Sequence, residues 1–152
     1  MTKEILVKIS GMQFTADNED PNEPEPVEII APGEYYYKNG KHYILYDEFM
    51  DGFDSVTKNV LKLKDDSLEI TKRGSSNVHM VFEKDKKNMT CYTTPFGSLM
   101  MGIDARRISV EESEEEIYAQ VEYALDINYE HLADCTIQLH VQSKKTAASS
   151  LF

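Results

Sequence analysis

Tyrosine and arginine are the residue types in this sequence best suited to hold a small molecule. Tyr35, Tyr36, Tyr37, Tyr43 and Tyr46 crowd one short stretch, and Tyr92 follows later. Each offers an apolar ring and a hydroxyl, which can orient a ligand or pack against a neighbour across a strand pair. Arg73, Arg106 and Arg107 are the only arginines. A buried one would suit a carboxylate or phosphate head group, which its planar fork grips with two hydrogen bonds. Tyr46, Tyr92, Arg73 and Arg106 therefore form the candidate ligand-binding set. Tyr46, Tyr92, His79 and Arg73 gathered in one concavity would also supply acid–base groups for a lyase or hydrolase.

Other reactive patterns are missing or incomplete. There is no Gly-x-Ser-x-Gly elbow and no His-Glu-x-x-His pair. Gly97 to Gly102 has the spacing of a phosphate loop, but Ile103 and Asp104 stand where Lys and Ser/Thr are needed. The stretch also reads as a strand, so no helix N-terminus follows to bind phosphate. His42, His79, His131 and His140 show no local metal-ligand spacing. The acidic run 111–116 lacks the glycine and the alternating ligands of a calcium loop, and reads as a solvated hairpin tip. Cys91 and Cys135 form no Cys-x-x-Cys pair and read as small, reduced core residues. No metal and no cofactor are expected.

These side chains must be positioned by strands. Apolar residues recur at every second position in Ile5-Val7-Ile9, Val78-Met80-Phe82 and Leu99-Met101-Ile103. The same rhythm runs through Ile117-Ala119-Val121-Tyr123-Leu125-Ile127 and Cys135-Ile137-Leu139-Val141. This period places one apolar face and one mostly polar face on an extended chain. Arg73 falls on the Glu69–Thr71 side of its run, opposite Leu68 and Ile70, so alternation turns it outward unless a bulge near Gly74 reverses it. Asn39-Gly40 suits the positive φ angles of a type I′ hairpin turn. Strands are expected over 3–14, 26–38, 41–48, 55–64, 67–73, 77–84, 88–94, 98–110, 116–128 and 133–143. Pro32-Gly33 is expected to bend or bulge the second of these, because proline cannot donate to a ladder. Residues 129–134 have room for one helical turn.

Short links between successive strands make an up-and-down meander, and a meander this long removes its edges by curling shut. The expected fold is all-β: one closed antiparallel barrel of about 8–10 strands over residues 1–143. The acidic, proline-rich segment 16–26 reads as a mobile loop, and 144–152 as a disordered tail.

The chain has 152 residues, 41% hydrophobic and 28% charged, enough apolar material for one core. Its formal net charge of −11 repels phosphate backbones and anionic membranes, so neither nucleic acid nor membrane is an expected partner. Without an apolar leader segment, a cytoplasmic setting is expected.

Gly33-x-Tyr35-Tyr36-x-Lys38, Tyr43-x-x-Tyr46-x-Glu48, Arg73-Gly74, Met80-x-Phe82 and Tyr92-x-Thr94-x-Phe96-Gly97-x-Leu99 resemble the YwiB-like family, a bacterial domain of unknown function. The resemblance covers roughly residues 3–143. It implies a calycin-like barrel, the architecture of lipocalins and fatty-acid-binding proteins, and a Gram-positive cytoplasmic setting. It brings no reaction with it. The expected function is noncatalytic binding of a small amphipathic molecule in the barrel. The alternative is a protein-interaction module using the tyrosine hairpin and the acidic loop, with no partner identified. An enzyme at the barrel mouth is the third reading.

Overall fold

The computed structural model describes residues 3–11, 28–49, 56–74, 77–94 and 97–144. The expected loop 16–26 and all but the first residue of the expected tail lie outside them. The described residues form ten strands: β1 (Glu4–Ser10), β2 (Glu28–Lys38), β3 (Lys41–Phe49), β4 (Val56–Lys64), β5 (Ser67–Arg73), β6 (Val78–Glu83), β7 (Lys86–Thr94), β8 (Gly97–Glu112), β9 (Glu116–Ile127) and β10 (Glu130–Ser143). All ladders are antiparallel, in the order β6-β5-β4-β3-β2-β1-β10-β9-β8-β7. The first and last strands pair with each other, and every other ladder joins neighbours in sequence.

The barrel is nearly closed rather than fully laddered. β6 and β7 are linked only by Lys84 and Asp85, yet they share no backbone ladder. Side chains bridge the seam instead. Asn88 Nδ2 donates to the Val81 carbonyl at 3.2 Å, and Thr90 Oγ1 donates to the His79 carbonyl at 2.8 Å. Carbonyls that lose ladder partners find others here, and two side chains of β7 supply them.

Turn chemistry follows the sequence where positive φ is required. Asn39 and Gly40 take φ of 53° and 75°. Asn128 and Tyr129 take 49° and 70°, making a second tight turn of the same hand. β10 therefore starts at Glu130, and the helical turn expected over 129–134 is replaced by strand.

The inward faces are the apolar faces read from the alternation. Ile5, Ile44, Leu61, Leu68, Ile70, Phe82 and Val121 are fully buried, and the Phe82 and Tyr123 rings meet edge to face at 4.9 Å. These side chains fill the centre, as expected where a barrel closes over its own core. Among the described residues no helix is long and apolar enough to cross a membrane.

The ladders are irregular at three places. Arg106 is the extra residue of a bulge between Ala105 and Arg107, and Leu132 occupies the same position between His131 and Ala133. At Pro32-Gly33 there is no bulge: β1 and β2 stay in register through both. Instead, the β2–β3 ladder stops at Gly33 opposite Tyr46. The cause is local. The Tyr35 N–H donates toward β1, to the Lys3 carbonyl at 2.8 Å. By backbone alternation residue 32 turns its nitrogen toward β3, and proline has no hydrogen there to give.

Candidate functional site

Where β2 and β3 part, the barrel wall opens. A groove of about 410 Å³ runs along the gap, lined by Ile29, Ile30, Ala31 and Pro32 on one side and Asp47, Glu48 and Phe49 on the other. A second, of about 640 Å³, shares Pro32, Asp47 and Phe49 and reaches Gly33, Tyr46 and Asn59. Gly33 stands at the point of divergence. A Cβ there would sit 2.4 Å from the Leu45 carbonyl oxygen, so only glycine lets the two strands meet before they separate.

Behind this opening lies a cluster of polar side chains on the inward face. Tyr46 is opposite Asn59 in the β3–β4 register, and Asn59 is opposite Lys72 in the β4–β5 register, so all three share that face. Glu48, two residues on from Tyr46, faces the same way. The Lys72 ammonium bonds the Glu48 carboxylate at 2.8 Å, with the side chains only 11% and 12% exposed. Asn59 is 1% exposed and donates its amide N–H to the Thr57 carbonyl at 3.3 Å. That bond fixes the amide orientation and leaves Oδ1 buried with no partner among the described residues. Tyr46 is 3% exposed, and its hydroxyl likewise is buried with no partner among the described residues. Burial, reinforced by the Glu48 charge, pushes the Tyr46 phenol well above its ordinary range, so it stays protonated and able to donate.

A buried polar atom without a partner costs about 1–3 kcal/mol. Here two residues opposite each other in the β3–β4 register, next to an ion pair, each carry one. Such atoms ordinarily find a protein group, a water or a ligand.

The structure divides the candidate ligand-binding set. Tyr46 belongs to this cluster. Tyr92 also faces inward, opposite Leu99, but from β7 on the far side of the seam. Arg73 is exposed, in register with Lys58 on the outer face, and no bulge reverses it. Arg106 is exposed at its bulge, 3.8 Å from Asp134. His79 is outward too, bonding Glu69 at 2.8 Å. Tyr46, Tyr92, His79 and Arg73 thus lie on two faces of the wall, and the acid–base constellation is not assembled. Sequence reasoning missed Glu48, Asn59 and Lys72.

The tyrosine hairpin is tied into its surroundings. The Tyr35 hydroxyl and His42 Nδ1 lie 2.7 Å apart, His42 Nε2 meets Glu112 at 2.8 Å, and the Tyr37 and His42 rings sit 5.1 Å apart. This chain of contacts fastens β2 and β3 to the end of β8. Neither groove at the β2–β3 opening reaches these four residues. On the outer face, a groove of about 430 Å³ is lined by residues including Lys8, Glu111, Tyr118, Gln138 and His140. There the His140 ring stacks on Tyr118 at 4.0 Å.

Cys91 is a correction: it is exposed, because the inward positions of β7 are Asn88, Thr90 and Tyr92. Cys135 is half-buried, and both cysteines are free. Among the described residues no three His, Cys, Asp or Glu side chains gather as a metal site.

The fold has a solved counterpart, the ywiB protein from Bacillus subtilis. Its crystal structure aligns over 93% of this chain and 92% of its own, with a TM-score of 0.70 and 19% sequence identity. At that identity the likeness concerns the fold. Comparison with curated proteins gives no match. Residues 7–139 match the family described as "Domain of unknown function (DUF1934)", and the chain belongs to that family.

Proposed function

We propose that this protein is a noncatalytic binder of a small amphipathic molecule, received at the opening between β2 and β3. The observation that carries the proposal is the partnerless Tyr46 hydroxyl and Asn59 carbonyl oxygen, buried together beside the Glu48–Lys72 pair. The groove that reaches Tyr46 and Asn59 shares Pro32 and Phe49 with a neighbouring one lined also by Ile29 and Ile30, and these apolar side chains suit an apolar tail. Large side chains occupy the barrel centre, so the ligand sits in the wall with its head group inward, and not along the barrel axis.

Native mass spectrometry of gently purified protein, together with thermal shifts over a panel of short amphipaths, tests this reading. Binding that the double variant Tyr46→Phe/Asn59→Leu loses supports it. No adduct and no shift with any member of the panel rejects it.

Exposed Tyr36 and Tyr37 on the hairpin favour a second reading, docking of a protein partner. A pull-down from the source cell that recovers the same proteins with Tyr36→Ala/Tyr37→Ala as with the unaltered chain counts against it.

A further inference from the structure

We infer that the head group this site takes is uncharged and both donates and accepts hydrogen bonds, as a primary amide or an alcohol does, and is not a carboxylate or phosphate. The inference rests on the binding reading and adds the ligand's chemistry. It comes from counting what each inward atom has left to offer.

Asn59 Oδ1 can only accept, and one of the two hydrogens on Nδ2 already serves the Thr57 carbonyl. The Tyr46 hydroxyl stays protonated, so it donates to an incoming oxygen. The Glu48 carboxylate accepts and the Lys72 ammonium donates, but each already neutralises the other at 2.8 Å. Two atoms of the cluster therefore have no partner among the described residues, one an acceptor and one a hydroxyl that donates, and the cluster carries no net charge. A primary amide fits both: its N–H to Asn59 Oδ1, its carbonyl to the Tyr46 O–H.

A carboxylate fits poorly. It has no hydrogen for Asn59, and its charge would lie beside Glu48 with the Lys72 charge already taken. An unpaired buried charge is far costlier than an unpaired neutral group. An alkylammonium could donate to Asn59 but offers nothing to the Tyr46 hydrogen and lies beside Lys72. The arginines that would recognise an anion, Arg73 and Arg106, stand on the outer face. The tail is accommodated by Ile29, Ile30 and Phe49 at the groove mouth.

The test is a matched series with one tail and three heads: octanamide, octanoate and octylammonium. Each is titrated into the isotopically labelled full chain near neutral pH, with the Asn59 side-chain amide and the Tyr46 ring followed by NMR. Octanamide is expected to shift both signals and to bind about tenfold or more tightly than either charged analogue, as one forfeited buried hydrogen bond predicts. In Tyr46→Phe and in Asn59→Leu the preference for the amide collapses. Because the head-group ranking is read on the unaltered chain, the test survives failure of a variant to fold. Octanoate binding as tightly as octanamide at these signals overturns the inference about the head group while leaving the site intact. If none of the three moves either signal, the inference and the binding reading fall together.

Discussion

Replacing Tyr46 by phenylalanine removes one hydroxyl and leaves the ring. In most proteins a buried tyrosine hydroxyl has a partner, and its loss destabilises. Here the hydroxyl is buried with no partner among the described residues, so its desolvation is uncompensated. Removing it should relieve about 1–3 kcal/mol, less a small amount for the gap left by one oxygen atom. For a chain of this size each kcal/mol moves the melting temperature by about 2–4 °C, so Tyr46→Phe should melt several degrees higher than the parent. Calorimetry with urea titration in parallel measures it. Tyr123→Phe is the internal control. That tyrosine is also buried, but its hydroxyl donates to the Gly11 carbonyl at 3.5 Å, so the same chemical change should be neutral or destabilising. A melting temperature for Tyr46→Phe below that of the parent refutes this, because a hydroxyl whose loss destabilises has a partner after all.

Lys72→Met alone should cost about 3–5 kcal/mol by stranding the Glu48 carboxylate, whereas Lys72→Met with Glu48→Leu should recover most of it; a urea-denaturation cycle measures both. At the β6–β7 seam, Asn88→Ala with Thr90→Val should cost roughly 1 kcal/mol for each lost bond and speed amide exchange in β6 and β7 more than in β1 and β10; hydrogen-exchange mass spectrometry resolves the difference. Burial holds the His140 imidazole below its ordinary range, with the nearby Glu116 carboxylate opposing only in part. The unfolded chain therefore takes up this proton first as pH falls, so the His140 contribution is fully present above the ordinary histidine pKa and is lost on acidification below it. The His140 ring signals should titrate below those of a histidine peptide, and His140→Phe should flatten the fall in stability over that range.

Most of the fold is legible in the sequence because the every-second-residue rhythm is strong. Ten strands are expected and ten form among the described residues, and Ile5, Phe82 and Val121 face inward as their parity requires. Local rules also place the Asn39-Gly40 turn and turn Arg73 outward. What fails depends on tertiary context. A bulge at Arg106 leaves no mark in a single strand's pattern, because it exists only in register with β9. Proline at position 32 announces a disturbance, but whether it breaks the ladder on the β1 side or the β3 side depends on which way its nitrogen turns. The site itself leaves a trace. Glu48, Asn59 and Lys72 hold inward parity with Ile44, Leu61 and Ile70, so each is a polar residue in an apolar register. Residue type alone points to tyrosine and arginine, whereas the informative signal is polarity at the wrong phase of the alternation. That Asn59 Oδ1 is left over depends on Thr57 taking the amide hydrogen, which no sequence pattern encodes.

A crystal structure of the full chain grown with octanamide would place the ligand atom by atom. The amide head should lie between Asn59 Oδ1 and the Tyr46 hydroxyl at hydrogen-bonding distance, with the tail leaving between β2 and β3 over Ile30 and Phe49. An amide seated in the outer groove beside Tyr118 and His140, with Tyr46 and Asn59 bonded to protein groups or to water, would contradict a binding site in the barrel wall.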